Sequence, residues 1–396
     1  MSPFFSIVVP TRNRPDLISG LTSSLLRQSF KNFEILLIDN SDNDETFSQI
    51  ETFKDKKLSY LRTGGLTMAD NWESGIREAS GDYIILLSDK IILKKDALQF
   101  LYEKIGEQGQ PDCVIWSIDA YYELEGQYFS HASGAKWSWK DSKALITEVF
   151  NSELDSPHVP CHGNSAVSKR VVDKIRKKNG RLCLPVNPDY MMAFQILLST
   201  KKVLRLGQSL TVLRYPKIGD GYGNGTSFML GTGQSQEFLR QNASIIKTRE
   251  ESTIIPMDGM VFCLSYVLDD LYTILRLYDV DPEYYLSIEK RRINYLYFCY
   301  LELMHRLYMG ADIKEELKIW KKLLSEEKPQ TRSEILRLLK TKRRKIAYIY
   351  CIRFIRKIPI INFLIRKVGD RLFRNNVVHI KSIDELLNLH LLHPNF

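Results

Sequence analysis

The chain has 396 residues, 44% of them apolar and 26% charged, a balance that suits a folded globular protein and excludes a disordered or low-complexity one. Its length suits one large domain with a smaller companion, or two of medium size. The net charge of +9 is unevenly placed: from Arg332 to Arg374 fourteen Lys/Arg stand against Glu334 and Asp370, a local +12, so the rest of the chain carries −3.

The opening "MSPFFSIVVP" has neither a basic leader nor the long apolar core of a signal peptide, and reads as a buried first strand over 5–10. "DLISGLTSSLLRQSF" then places Leu17, Leu21, Leu25 and Leu26 at helical spacing, and "FEILLID" (33–39) is a second continuous apolar run. That is a strand–helix–strand unit whose strands are buried on both faces, as in a parallel sheet. "LSYLRT" (58–63) reads as a third strand, "MADNWESGIREAS" (68–80) as a helix and "DYIILLS" (82–88) as a fourth strand. The alternation runs to about Tyr215 and predicts a doubly wound, mostly parallel α/β domain with its ligands at the carboxyl ends of the strands.

"PKIGDGYGNGTSFMLGTGQS" (216–235) holds six glycines among turn-formers and reads as a loop closing that domain. Beyond it, "MVFCLSYVLDDLYTILRLY", "SIEKRRINYLYFCYLELMHRLY" and "IKEELKIWKKLL" carry helical periodicity, and Asp269 and Asp270 interrupt the first too early for a membrane span. The expected division is therefore 1–235 as the α/β domain and 236–396 as a helical subdomain. Six cysteines (113, 161, 183, 263, 299, 351) lie without paired spacing, as suits reduced thiols in a cytosol. "HVPCH" (His158, Cys161, His162) lacks a fourth ligand at a familiar spacing, and no zinc site is assigned to it.

Residues that follow the strands are the candidates for chemistry. Strand one ends in Pro10-Thr11-Arg12-Asn13 and strand two in Asp39-Asn40-Ser41. An Asp at such an edge either accepts the imide N–H of a uracil or thymine ring or caps the next helix. After strand four comes "LLSDKIIL", with Asp89 between Ser88 and Lys90.

The order of "FSIVVPTRNRPDLISGLTSSLLRQSFKNFEILLIDNSDNDET", "MADNWESGIREASGDYIILLSDK" and "NPDYMMAFQILLS" resembles glycosyltransferase family 2, over roughly residues 5 to 215. The resemblance implies the GT-A fold and an inverting transfer from a nucleoside-diphosphate sugar to a hydroxyl of a glycan or lipid-linked glycan. It implies that Pro10, Thr11 and Arg12 line the donor-nucleotide pocket, that Asp39 pairs with the base and that Asn71 lies near base or ribose. Asp189, in "NPDY", would match the catalytic base; read alone, it is equally an Asp after Pro188 at a helix start. Asp89 would occupy the acidic motif that in this family commonly has two or three acids and grips Mg²⁺ or Mn²⁺. Here Ser88 supplies no carboxylate and Lys90 would repel a cation while attracting a diphosphate. Three outcomes stand open: Asp89 alone holds a weakly bound metal, Lys90 takes its place on the diphosphate, or the chain is a non-catalytic module that binds nucleotide or glycan.

In the basic segment "LKTKRRKIAYIYCIRFIRKIPIINFLIRKVGDRLFR" (339–374) the longest uncharged runs are seven and eight residues, too short for a bilayer span of about 20. It reads either as core-facing helices with a solvated basic face or as basic amphipathic helices on an anionic leaflet. No nucleic-acid motif accompanies the charge, and no nucleic-acid partner is expected. The expected setting is cytoplasmic, peripheral on the inner face of the cytoplasmic membrane where the tail meets lipid.

Overall fold

In a computed structural model of the chain, the residues described are 2–123, 126–132, 137–151, 159–185, 187–215, 240, 242, 263–309, 311–342, 377–379 and 383–387. The glycine-rich loop at 216–235, His158 and residues 343–374 of the basic segment lie outside them. The chain divides into two compact units: residues 1–146, 155–218 and 377–396 form the first, and 147–154 and 219–376 the second. The boundary expected at 235 falls outside the described residues, and the last twenty residues, expected with the helices, group with the first unit.

The first unit is built on a sheet of eleven strands among the described residues. Strands β1 (Phe5–Thr11), β2 (Phe33–Asp39), β3 (Leu58–Arg62) and β4 (Tyr83–Leu86) lie in the order β4-β1-β2-β3, all parallel. Every residue of β1 and β4 is buried, which is why those segments read as unbroken apolar runs instead of alternating ones. Helices α1 (Pro15–Leu26), α2 (Glu45–Ile50) and α3 (Met68–Glu78) make the crossovers. Pro15 opens α1 at a position where its missing N–H costs nothing, and Leu17, Ile18, Leu21 and Leu25 form the buried stripe.

Beyond β4 the sheet is mixed. Strands β5 (Ile91–Leu93), β6 (Cys113–Tyr122), β7 (Gln127–Phe129), β8 (Trp137–Asp141), β9 (Ser165–Ser168) and β10 (Lys202–Tyr215) complete it, with helices α4 (Ala97–Glu107), α5 (Ser142–Phe150), α6 (Lys169–Asn179) and α7 (Pro188–Ser199) between them. β9 runs antiparallel between β4 and β6, while β10 runs parallel to β6 and antiparallel to β5 and β8. The expected parallel winding therefore holds over the first four strands, and the insertion of β9 ends it. Because the chain moves outward from β1 through β2 to β3 and then returns to the other side of β1 as β4, a topological switch point lies between β1 and β4. In open α/β sheets that crevice is where ligands bind.

One glycine sets how closely α3 approaches the sheet. A Cβ at Gly75 would stand 2.6 Å from Ile38 Cγ1 and from Val8 Cγ1, so the helix lies almost on the strands there.

The second unit is helical over its described residues: α8 (Cys263–Leu277), α9 (Ile288–Met309), α10 (Lys314–Glu326) and α11 (Pro329–Thr341). α9 packs against the other three, and Trp320 donates its indole N–H to the Leu296 carbonyl at 2.8 Å. Among the described residues no helix is long and apolar enough to cross a membrane. The chain's end adds β11 (Val377–His379), antiparallel to β7, and α12 (Ile383–Leu387), whose Leu386 and Leu387 pack with Ile92, Tyr121, Tyr128 and Val212.

Candidate functional site

The carboxyl ends of β1 and β4 are joined by side chains. Thr11, the last residue of β1, donates its hydroxyl to Asp89 Oδ2 at 2.9 Å. Arg14, just before α1, donates Nη1 to Asp89 Oδ1 at 3.1 Å, and Ser88 adds a longer bond to the same oxygen at 3.3 Å. Asp89 is almost fully buried, at 1% exposed. Three donors take up lone pairs of this buried carboxyl group, and the Arg14 guanidinium stands beside it as the opposite charge.

Lys90, the next residue, is 6% exposed. Among the described residues its ammonium has no hydrogen-bond acceptor and no ion-pair partner. Burial, with the Arg14 charge beside it, draws its pKa down to about 8, against the pull of Asp89. Arg14 and Lys90 thus outnumber the one carboxylate between them.

On the neighbouring elements the site continues through His162, in the turn before β9, and Asp189, at the second position of α7. His162 Nδ1 is buried without a hydrogen-bond partner and stands 3.7 Å from Asp189 Oδ2. Its ring lies 5.2 Å from that of Trp72 on α3. Burial holds the imidazole below its ordinary pKa although Asp189 pulls it upward, so it is neutral at pH 7; Lys90 and Asp89 also act on it electrostatically. Asp189 is half-buried and accepts the Tyr190 N–H at 2.9 Å.

The segment ahead of α7 is held at Leu182 and Cys183 by a buried glutamate on α3. Glu73 Oε2 accepts the backbone N–H groups of Leu182 and Cys183, each at 2.9 Å, and its Oε1 accepts from Arg176 on α6. Asp70, one turn back, binds Arg181 at 2.8 Å. The loop that leads into α7 is therefore pinned to the helix that also carries Asn71 and Trp72.

The remaining candidates sit around β2. Asp39 is fully buried; its Oδ1 accepts from the Ser41 N–H at 2.9 Å and from the Ser41 hydroxyl, and its Oδ2 accepts from the Tyr60 hydroxyl at 2.7 Å. Burial, then the hydrogen bond to Asp39, pushes the Tyr60 phenol up to about 12. The Asp39 carboxyl group is thus already bonded to Ser41 and Tyr60 within the fold. Asn71 accepts from Thr63 at 2.7 Å and donates to the Ile38 carbonyl at 3.4 Å, tying α3 to the end of β2. Pro10 is buried within β1. Arg12 turns outward to Asp42 at 3.3 Å, and Asn13, at φ 54°, exchanges hydrogen bonds with Ser41 and Asp42. The loops after β1 and β2 are thereby laced together.

The structure thus brings Thr11, Asp89, Lys90 and Asp189 to one end of the sheet, and keeps Arg12, Asp39 and Asn71 in bonds with their own chain. Arg14, Glu73 and His162 were not singled out for this site by sequence. Asp89 is the one carboxylate of this cluster; it is bonded to Thr11, Arg14 and Ser88, and two cationic side chains flank it. Among the described residues no group of three or more His, Cys, Asp or Glu could hold a metal ion.

Residues 6–176 match the family described as "Glycosyl transferase family 2". Over 191 residues the chain is 27% identical to glycosyltransferase GlyG of Streptococcus pneumoniae, covering 46% of this chain and 62% of that one. It is 30% identical over 165 residues to the GalNAc(5)-diNAcBac-PP-undecaprenol beta-1,3-glucosyltransferase of Campylobacter jejuni, covering 39% and 51%. The chain therefore covers less than two thirds of either relative's length. Among solved structures it is similar to S. aureus TarS 1-349 in complex with UDP-GlcNAc, at a TM-score of 0.45 and 13% identity over 76% of this chain and 80% of that one.

Proposed function

We propose, from the match of residues 6–176 to the glycosyl transferase family 2 model, that the chain transfers a sugar from a nucleoside-diphosphate donor to a hydroxyl of a glycan or lipid-linked glycan, with inversion. The observation that carries this reading is the placing of a half-buried carboxylate, Asp189, on the same strand-end surface as the Asp89–Arg14–Lys90 cluster.

In the proposed step the acceptor oxygen forms a bond to the anomeric carbon while the bond from that carbon to the diphosphate oxygen breaks. The bonding pair leaves with the nucleoside diphosphate. Asp189 takes the acceptor's hydroxyl proton, as a carboxylate within hydrogen-bond reach can. Asp39 takes the base edge; Pro10, Thr11, Arg12 and Asn71 frame the pocket around it.

A lipid-linked acceptor fits the Campylobacter jejuni relative, whose name describes a sugar chain on undecaprenyl diphosphate. For the basic segment we keep the membrane-surface role as part of this proposal. Because 377–379 and 383–387 are built into the first unit, truncation there would damage the sheet. Charge substitution within 343–374, followed by sedimentation with anionic vesicles, is the cleaner test; undiminished association would remove the membrane from the proposal.

The transfer reading is tested by Asp189→Asn. The expected variant binds the donor as the wild type does and turns it over about 10²- to 10⁴-fold more slowly. A wild type without turnover on any nucleotide sugar, yet with intact nucleotide binding, would favour the binding-module reading instead.

A further inference from the structure

A nucleoside diphosphate leaves with more negative charge than it carried as an ester, and catalysis requires positive charge placed in advance where that charge develops. We infer that Arg14 and Lys90 form a fixed anion site that holds the donor's diphosphate and does the electrostatic work otherwise given to a divalent cation. This rests on the donor reading above.

Lys90 is the first support. It is 6% exposed, yet among the described residues its ammonium has neither an acceptor nor an ion pair. The stem is buried while the ammonium nitrogen itself keeps contact with solvent, so an anion from outside the chain can reach it. An ammonium has three N–H donors and behaves as a compact point charge, which suits a phosphate.

The second support is how Asp89 is used. The carboxylate that would grip a metal is spent on Arg14, Thr11 and Ser88. Those bonds fix the Arg14 guanidinium at the end of β1 through one nitrogen, Nη1, and its other donors are left to bind phosphate oxygens. With one carboxylate and two cations, the cluster carries a net +1 before a donor arrives. Asp89 then serves as the support for a cation instead of as a metal ligand.

The placement is the third support. Arg14 follows β1 and Lys90 follows β4, the two strands that flank the switch point, so both cations lie where an open α/β sheet receives phosphate. When the bond to the anomeric carbon breaks, the charge collecting on the diphosphate oxygen meets cations already in place.

The test is calorimetric titration of the full chain with inorganic pyrophosphate, UDP, dTDP and GDP, each with EDTA and with Mn²⁺. Lys90→Met, Lys90→Arg and Arg14→Gln are titrated alongside, and thermal melts confirm that each is folded. We expect binding to be the same with EDTA and Mn²⁺, and about 10- to 100-fold weaker in Lys90→Met and in Arg14→Gln, with Lys90→Arg recovering part of the loss. Binding that vanishes in EDTA and returns with Mn²⁺, or Lys90→Met titrating like the wild type, would overturn the inference and leave the donor reading standing. Failure of pyrophosphate and of all three nucleotides to bind would overturn both.

Discussion

Replacing Lys90 by Met should make the protein more stable, although it damages the proposed site. Met keeps most of the buried stem and removes the ammonium. The folded lysine has its pKa drawn from 10.5 down to about 8, chiefly by burial. At about 1.4 kcal/mol per pKa unit, the charged form costs the fold roughly 3–3.5 kcal/mol. Because the folded pKa lies below the unfolded one, the unfolded chain binds more protons between pH 8 and 10.5. The wild type therefore gains stability as pH rises through that window, and the cost is present in full below pH 8. Paired melts of wild type and variant at pH 7 should show the variant higher by roughly 5–10 °C, the gap closing towards pH 10.5. A variant that melts lower at pH 7, or a gap indifferent to pH, would mean that the Lys90 ammonium is already satisfied within the fold.

Gly75→Ala should destabilise the first unit by about 1–2 kcal/mol, the clash with Val8 and Ile38 outweighing the gain in helix propensity; denaturant titration that shows no loss would mean α3 can lift off the sheet freely. Glu73→Ala removes the acceptor of the Leu182 and Cys183 N–H groups and of Arg176, and should cost roughly 3 kcal/mol together with turnover, since α7 loses its anchor. Unchanged amide exchange at Leu182 and Cys183 would contradict that role. Asp189→Asn should separate turnover from donor binding as described above, and weakened donor binding in that variant would count against its role as base.

Strands β1, β2 and β4 are legible because they are buried on both faces, so their apolar runs are nearly unbroken, and turn-forming residues bound them; β3, at the edge, is half-exposed. The same reasoning is silent on β9, whose "SAVS" is short and only half apolar, and β9 is the strand that turns the sheet from parallel to mixed. The return of β11 to β7 rests on pairing between residues some 250 apart, and nothing in either segment's composition encodes it. Within the site, Asp89 and Lys90 stand out because acids are expected there and are missing. Arg14 does not, because Arg12 and Arg14 are the same residue type in one short loop. Only the left-handed turn at Asn13 decides that the first faces Asp42 and the second Asp89. His162 was visible as part of a metal-like cluster, and what distinguishes it is a neighbour 27 residues further on, Asp189.

The most direct test is a crystal structure of the chain grown in EDTA with the nucleoside diphosphate that titration selects. The expected result places its terminal phosphate within hydrogen-bond distance of Lys90 Nζ and the Arg14 guanidinium, on the same face of the sheet as Asp189. A diphosphate bound away from the β1/β4 crevice, or one that appears only with a metal ion seated on Asp89, would contradict it.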